Sequence, residues 1–333
     1  MAIKNLNLIA KYFTKEKIAD IISKTKKPST PWTDLLFPED KRIQKTSPYI
    51  SLQDVVDEIG AVPLTRRDGR SVPIDAEKIT KMLIEVDPVK PSVFASAKDI
   101  NDLIASGDVE ALDAWVTEKV VKLRNSVSKT TELLTLQALA GKIDYPYATV
   151  NGVGGSCEVQ LGEPKQLKNV KITSSTTFAE LENILESLLT EYSSTITATR
   201  PVFLMGATVY SNVISIIGAL GSAGATFVER LKKGMMIDTK YEIMLANTAY
   251  KLPGKEESHV LVADDEIRIV DLDDAGKLIY ASLDSIAANF GAVPFFVDQD
   301  ETKDPDGLKL IGMSKPFPAI AQNRIGKAKV TVK

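Results

Sequence analysis

Cysteine and histidine are nearly missing from this chain: its 333 residues hold one of each, Cys157 and His259. One cysteine excludes an intramolecular disulfide. One histidine excludes paired imidazole ligands and leaves a zinc site only a single Cys and a single His to build on. We read Cys157, set among glycines and polar residues, as a small structural residue and His259 as a strand-edge residue. Long apolar runs are missing too. No stretch approaches the roughly 20 apolar residues that span a bilayer, and Met1 to Ala10 lacks the apolar core and small-residue cleavage site of a secretory signal. We expect a cytoplasmic chain without a membrane partner. Neither sign of charge dominates, with 41 Lys and Arg against 44 Asp and Glu for a net charge of −3, so the dense basic surplus of a dedicated nucleic-acid binder is absent. The local basic groups Lys24, Lys26 and Lys27, and Arg66, Arg67 and Arg70, read first as solvated faces.

Catalytic and ligand-binding motifs are equally scarce. Asn151-Gly152-Val153-Gly154-Gly155-Ser156 has the glycines of a phosphate-cradling loop. Such a loop needs a helix directly after it, whereas Glu158-Val159-Gln160-Leu161 reads as strand, so a turn is expected. The acids Asp264, Asp265 and Glu266, and Asp271, Asp273 and Asp274, lack the spacing of a calcium loop and read as turn acids, and Asp298, Asp300, Asp304 and Asp306 read as a polar loop. Ser211 and Ser222 have no nucleophile elbow around them. No catalytic, cofactor or metal residue is assigned.

What is present is a globular composition, 44% hydrophobic and 26% charged, with enough apolar residues for one large domain with excursions or for two domains. Residues 1 to about 28 read as an amphipathic helix through Leu6, Ile9, Phe13, Ile18, Ile21 and Ile22. Pro28, Pro31, Pro38 and Pro48 then break a stretch that carries Trp32, Leu35, Leu36 and Phe37, which predicts an extended arm whose apolar side chains need another surface. Val62 to Ile74 reads as two strands around Asp68-Gly69, a strong hairpin signal with a charged tip of Arg66, Arg67, Asp68 and Arg70. Gly107-Asp108 opens the longest helical pattern, to Gly141, with a stripe of Leu112, Val116, Val120, Leu123, Val127, Leu134 and Ala138. Strands are expected over Tyr145–Val150 and Cys157–Leu161, and a helix capped by Thr177 with Glu180 three residues on. A buried strand over Pro201–Met205, a glycine-broken helix over 207–233, strands over 236–246 and 259–270, a helix over 278–290 and a closing strand over Ala328–Val332 complete the reading. Strands and helices alternate too irregularly for a doubly wound or barrel fold. The class is α+β.

This order of elements resembles the Hong Kong 97 fold of tailed-phage major capsid proteins. Three stretches resemble its lambda-like branch, the phage major capsid protein E family. They are Val62 to Pro91, with Asp68-Gly69 and Val86-Asp87-Pro88-Val89-Lys90-Pro91; Arg200-Pro201-Val202-Phe203-Leu204-Met205-Gly206 before a helix; and Ser314-Lys315-Pro316-Phe317-Pro318-Ala319-Ile320 followed by Arg324 and the closing strand. The resemblance implies an N-terminal arm over 1–50, an extended hairpin loop over 51–91, and a peripheral domain over 92–199 with a spine helix near 108–141. It further implies an axial domain over 200–292 and a return segment over 293–333 that ends in a peripheral-domain strand. It implies a major capsid protein, not an enzyme, that assembles with itself into hexamers and pentamers of an icosahedral phage or prophage shell around double-stranded DNA, which a near-neutral chain suits. Scaffold, portal and decoration proteins would be further partners, and the product a virion built in the bacterial cytoplasm. Arg66, Arg67, Asp68 and Arg70 would lie on one neighbouring subunit, and Trp32, Leu35, Leu36 and Phe37 would clasp another. The alternatives are an encapsulin-like nanocompartment shell and a metal- or nucleotide-dependent enzyme built on the acidic loops.

Overall fold

The computed structural model describes residues 15–51, 83–106, 109–149, 152–194, 198–221, 228–231, 234–237 and 239–332. The chain divides into two compact units, one of residues 1–34, 38–132 and 278–318, the other of 35–37, 133–277 and 319–333.

The first unit opens with helix α1 (Lys15–Lys24) and the short helix α2 (Pro31–Leu36), whose residues 31–34 belong to it. Arg42–Lys45 pairs in parallel with Leu278–Ala281, and Tyr49–Ser51 pairs antiparallel with Leu83–Glu85. A three-stranded antiparallel sheet follows, in the order Phe296–Lys303, Asp306–Met313, Ser92–Ser96. Helix α3 (Ala97–Ser106) precedes helix α4 (Val109–Ala140), whose 32 residues match the long helix expected from 108 to 141. Val116, Val120 and Leu123 recur three and four residues apart, so they share one face, and that face packs on Ile18 and Ile21 of α1 and on Leu308 and Leu310. The last turn of α4 departs from the single stripe. Leu134 is half-buried, while Thr135 to Leu139 are buried all round.

The second unit is organised on an eight-stranded sheet. Its order is Val228–Leu231, Gly234–Ile237, Tyr241–Leu245, Pro201–Met205, Glu266–Asp271, Ile325–Thr331 and Lys165–Gln166, with Val170–Lys171 also paired to the closing strand. Pro201–Met205 has strands on both sides, and Val202 to Met205 are fully buried, as its unbroken apolar run requires. Helix α5 (Phe178–Ser193) starts at a complete capping box: Thr177 accepts from the Glu180 amide, and the Glu180 carboxylate accepts from the Thr177 amide at 2.8 Å. Its Leu181, Leu185 and Leu188 pack in one core with Val209 and Val213 of helix α6 (Ala207–Ala219). Gly206 caps α6 where the Ala263 carbonyl oxygen lies 1.9 Å from the place a Cβ would take, so any larger residue drives the two backbones apart.

Several expectations are corrected. The segment 28–50 is not an extended arm but carries α2, a short 3-10 turn (Glu39–Lys41) and two strands. The helix expected over 207–233 ends at Ala219, and Val228–Leu231 is a strand. The strand expected over 236–246 is two, Gly234–Ile237 and Tyr241–Leu245, and that over 259–270 is likewise two, Ser258–Val260 and Glu266–Asp271. Leu278–Ala281 is strand rather than helix, because a short apolar run serves either state and the parallel partner Arg42–Lys45 decides it. Asp298 to Asp306 is not a loop but the end of an antiparallel pair, Phe296–Lys303 with Asp306–Met313.

Candidate assembly surfaces

The arm is fastened to its own chain by two charges on α4. Arg124 Nη1 donates to the Ile22 carbonyl at 3.0 Å and to Thr25 Oγ1 at 3.2 Å, at the C-terminal end of α1. Eight residues on, and so on a similar face, the Glu132 carboxylate accepts from the Trp32 amide at 2.8 Å, the Thr33 amide at 2.9 Å and Thr33 Oγ1 at 2.6 Å. A cation thus meets the carbonyl end of one short helix and an anion the amide end of the next, the favourable sense for both helix dipoles. Lys17 reaches Asp113 at 3.1 Å, and Arg42 reaches Asp34 at 2.5 Å. Burial alone would raise the Asp34 carboxyl, but bonds from Arg42 and Thr30 and the charge of Lys27 outweigh it and hold the group below its usual range.

Of the arm residues, Trp32, Leu36 and Phe37 are buried by their own chain, and Leu35 is half-buried. Arg66, Arg67, Asp68 and Arg70 lie outside the described residues. What the structure gives is the pair of strands on either side of that segment, Tyr49↔Glu85 and Ser51↔Leu83, which brings residues 51 and 83 together at its base. Tyr49 and Leu83 are among the exposed large apolar side chains, Leu83 at 61%.

A second exposed apolar group lies in the loop after Ala281, where Ile286 is 86% and Phe290 58% exposed. This loop is ordered from within: Asn289 N donates to the Ile286 carbonyl at 2.9 Å and Phe290 N to the Ser285 carbonyl at 3.1 Å. The sequence pattern predicts a helix over 278–290, which does not single out either residue as exposed. In the other unit, Lys142–Thr149 and Gly152–Gln160 form a long hairpin that exposes Tyr147 and Val153. The glycine-rich run lies in the second strand of that hairpin, with no helix after it, so it cannot cradle a phosphate.

Among the described residues, no group of three His, Cys, Asp or Glu side chains is close enough to hold a metal. His259 stacks on Tyr250 with ring centroids 5.5 Å apart, and Cys157 is half-buried opposite Tyr145. Asp271 is buried and accepts from the Thr199, Arg200 and Asp273 amides, which accounts for it as a structural acid. The described helices include none long and apolar enough to cross a membrane.

Residues 14–329 match the family model described as phage major capsid protein E. Among solved structures, a prophage protein of Escherichia coli CFT073 assigned as its capsid protein aligns over 96% of this chain and 99% of its own, at 13% identity and a TM-score of 0.60. A phage-related protein of Bordetella bronchiseptica aligns over 94% and 95%, at 10% identity and a TM-score of 0.49. The satellite phage P4 procapsid aligns over 96% and 97%, at 13% identity and a TM-score of 0.45. A search of curated proteins by sequence gave no match.

Proposed function

The chain belongs to the phage major capsid protein E family and is a structural, non-enzymatic subunit of a virion shell with the Hong Kong 97-like α+β fold, and from that premise we propose how it assembles. Copies of the chain associate into hexamers and pentamers that tile an icosahedral phage or prophage head around double-stranded DNA. The observation that carries this reading is the family match over residues 14–329. Heterologous contacts between identical subunits close such rings. The segment between Ser51 and Leu83, with Arg66, Arg67, Asp68 and Arg70, reaches across a neighbouring subunit and sets its arginines against carboxylates there. Ile286 and Phe290 belong to a second contact, because exposed apolar side chains on an ordered loop are stabilised by burial against a partner. Scaffold, portal and decoration proteins and the packaged duplex are the further partners of this reading.

The test is electron microscopy and sedimentation of the chain expressed alone. Closed shells, tubes or isolated capsomers support the proposal, and a protein that stays monomeric at every concentration overturns it. In an Arg66→Ala/Arg67→Ala variant assembly fails or changes form; normal shells from it remove the tip from the interface.

A further inference from the structure

A cavity of about 310 Å³ lies within the arm-bearing unit, between the α1–α2 connection, α4 and the strand Leu278–Ala281. Its walls carry hydrogen-bond donors that the chain leaves unused. Among the described residues the bonds of Arg124 all run through Nη1, to the Ile22 and Thr25 carbonyls and to Thr25 Oγ1, which leaves Nε and Nη2 without a partner there. Among the described residues no carboxylate faces the Arg124 charge either, and burial pulls its pKa below the ordinary value. One turn along α4, on the same face, the Ser128 hydroxyl also lacks a partner. Across the cavity the Tyr280 ring is buried, and its hydroxyl has no hydrogen-bond partner among the described residues, although it senses the charges of Arg42 and Asp34.

Lys27 and Arg42 also line the cavity, and both are near Asp34, at 3.6 Å and 2.5 Å. Glu132 is already occupied by Trp32 and Thr33. The remaining charge is therefore that of Arg124. Its planar fork, the Ser128 hydroxyl on the same face and the Tyr280 hydroxyl across the cavity describe an acceptor with several oxygens and a full negative charge. We propose that this cavity binds a single phosphate oxyanion, held by Arg124, Tyr280 and Ser128, at the junction of the arm with the long helix. The phosphate is either the free ion or one phosphate of a nucleic-acid backbone, and it fastens the arm because it binds only the folded arrangement.

Calorimetric titration of inorganic phosphate into the full chain, at constant ionic strength, tests this. The expected result is saturable binding of one phosphate per chain, with a melting temperature that rises as phosphate is added. Tyr280→Phe binds roughly fivefold more weakly and Arg124→Gln at least about tenfold, as expected for loss of a neutral and of a charged hydrogen bond. Tyr280→Phe keeps its fold, because it removes a hydroxyl that has no partner, so the proposal stays testable if Arg124→Gln loosens α1. Equal affinity in the wild type and Tyr280→Phe, or no saturable binding in the wild type, overturns the site. A short DNA duplex decides the source: duplex binding weakened by the same two substitutions assigns a backbone phosphate, and duplex binding indifferent to them assigns the free ion.

Discussion

In the unit that holds Pro201–Met205, the core runs without interruption from Leu181, Leu185 and Leu188 through Phe203 and Met205 to Ile243, Ile267 and Ile269, all fully buried. In the arm-bearing unit the apolar cluster around Val116, Val120 and Leu123 is joined to its N-terminal helices by polar contacts as much as by packing, through Arg124, Glu132 and the Lys17–Asp113 pair. The first kind of stability scales with buried area and is indifferent to pH. The second depends on a few charged groups with fixed partners, each of which can be removed singly.

The largest expected effect falls in the first region. Phe203 is fully buried at a central strand, edge-to-face with Tyr241 at 6.2 Å between centroids. Phe203→Ala should destabilise that unit by about 3–5 kcal/mol, read from urea unfolding followed by hydrogen exchange. If exchange in the arm changes as much as exchange in the sheet, the two regions are not held by different kinds of contact. Next comes Glu132→Ala, which strips three donors of their acceptor and should cost about 2 kcal/mol. Its effect should be confined to faster exchange at residues 30–36, and Glu132→Gln should restore part of the protection. Unchanged exchange there would remove Glu132 from the attachment. The smallest effect is one of pH. The native pKa of Asp34 lies below its unfolded value, so its contribution is complete above the unfolded carboxylate pKa and is lost as pH falls through the native one. Acidification should therefore loosen residues 30–42 before it disturbs the sheet, and an NMR titration in which both regions respond together would count against this.

Local signals were read well. The 32-residue helix, the Thr177 capping box and the strand Pro201–Met205 each depend on residues within a few positions of one another, and all three stand where the periodicity and capping rules put them. The arm was misread for the opposite reason. Prolines 28, 31, 38 and 48 suggested a segment without structure of its own, but Pro31 opens a helix, where a missing amide costs nothing, and the groups that hold that helix are about 100 residues away. Leu278–Ala281 failed in the same way, since its strand state comes from Arg42–Lys45. The exposed Ile286 and Phe290 lay inside a helix that does not exist. The basic tip, residues 66 to 70, was legible as charge and turn chemistry and lies outside the described residues.

Amino-acid order alone thus settled the α+β class, the poverty of catalytic groups and the likeness to a capsid family, because periodicity, composition and short motifs are properties of neighbours in the chain. Only the folded chain decided that Arg124 and Glu132 clasp the arm, that Trp32 and Phe37 are covered by their own protein, and that Tyr280 faces a cavity with its hydroxyl unpaired. Each of those depends on which distant residue comes to stand opposite, and a charge or an aromatic ring carries no mark of its partner until the backbone has brought the two together.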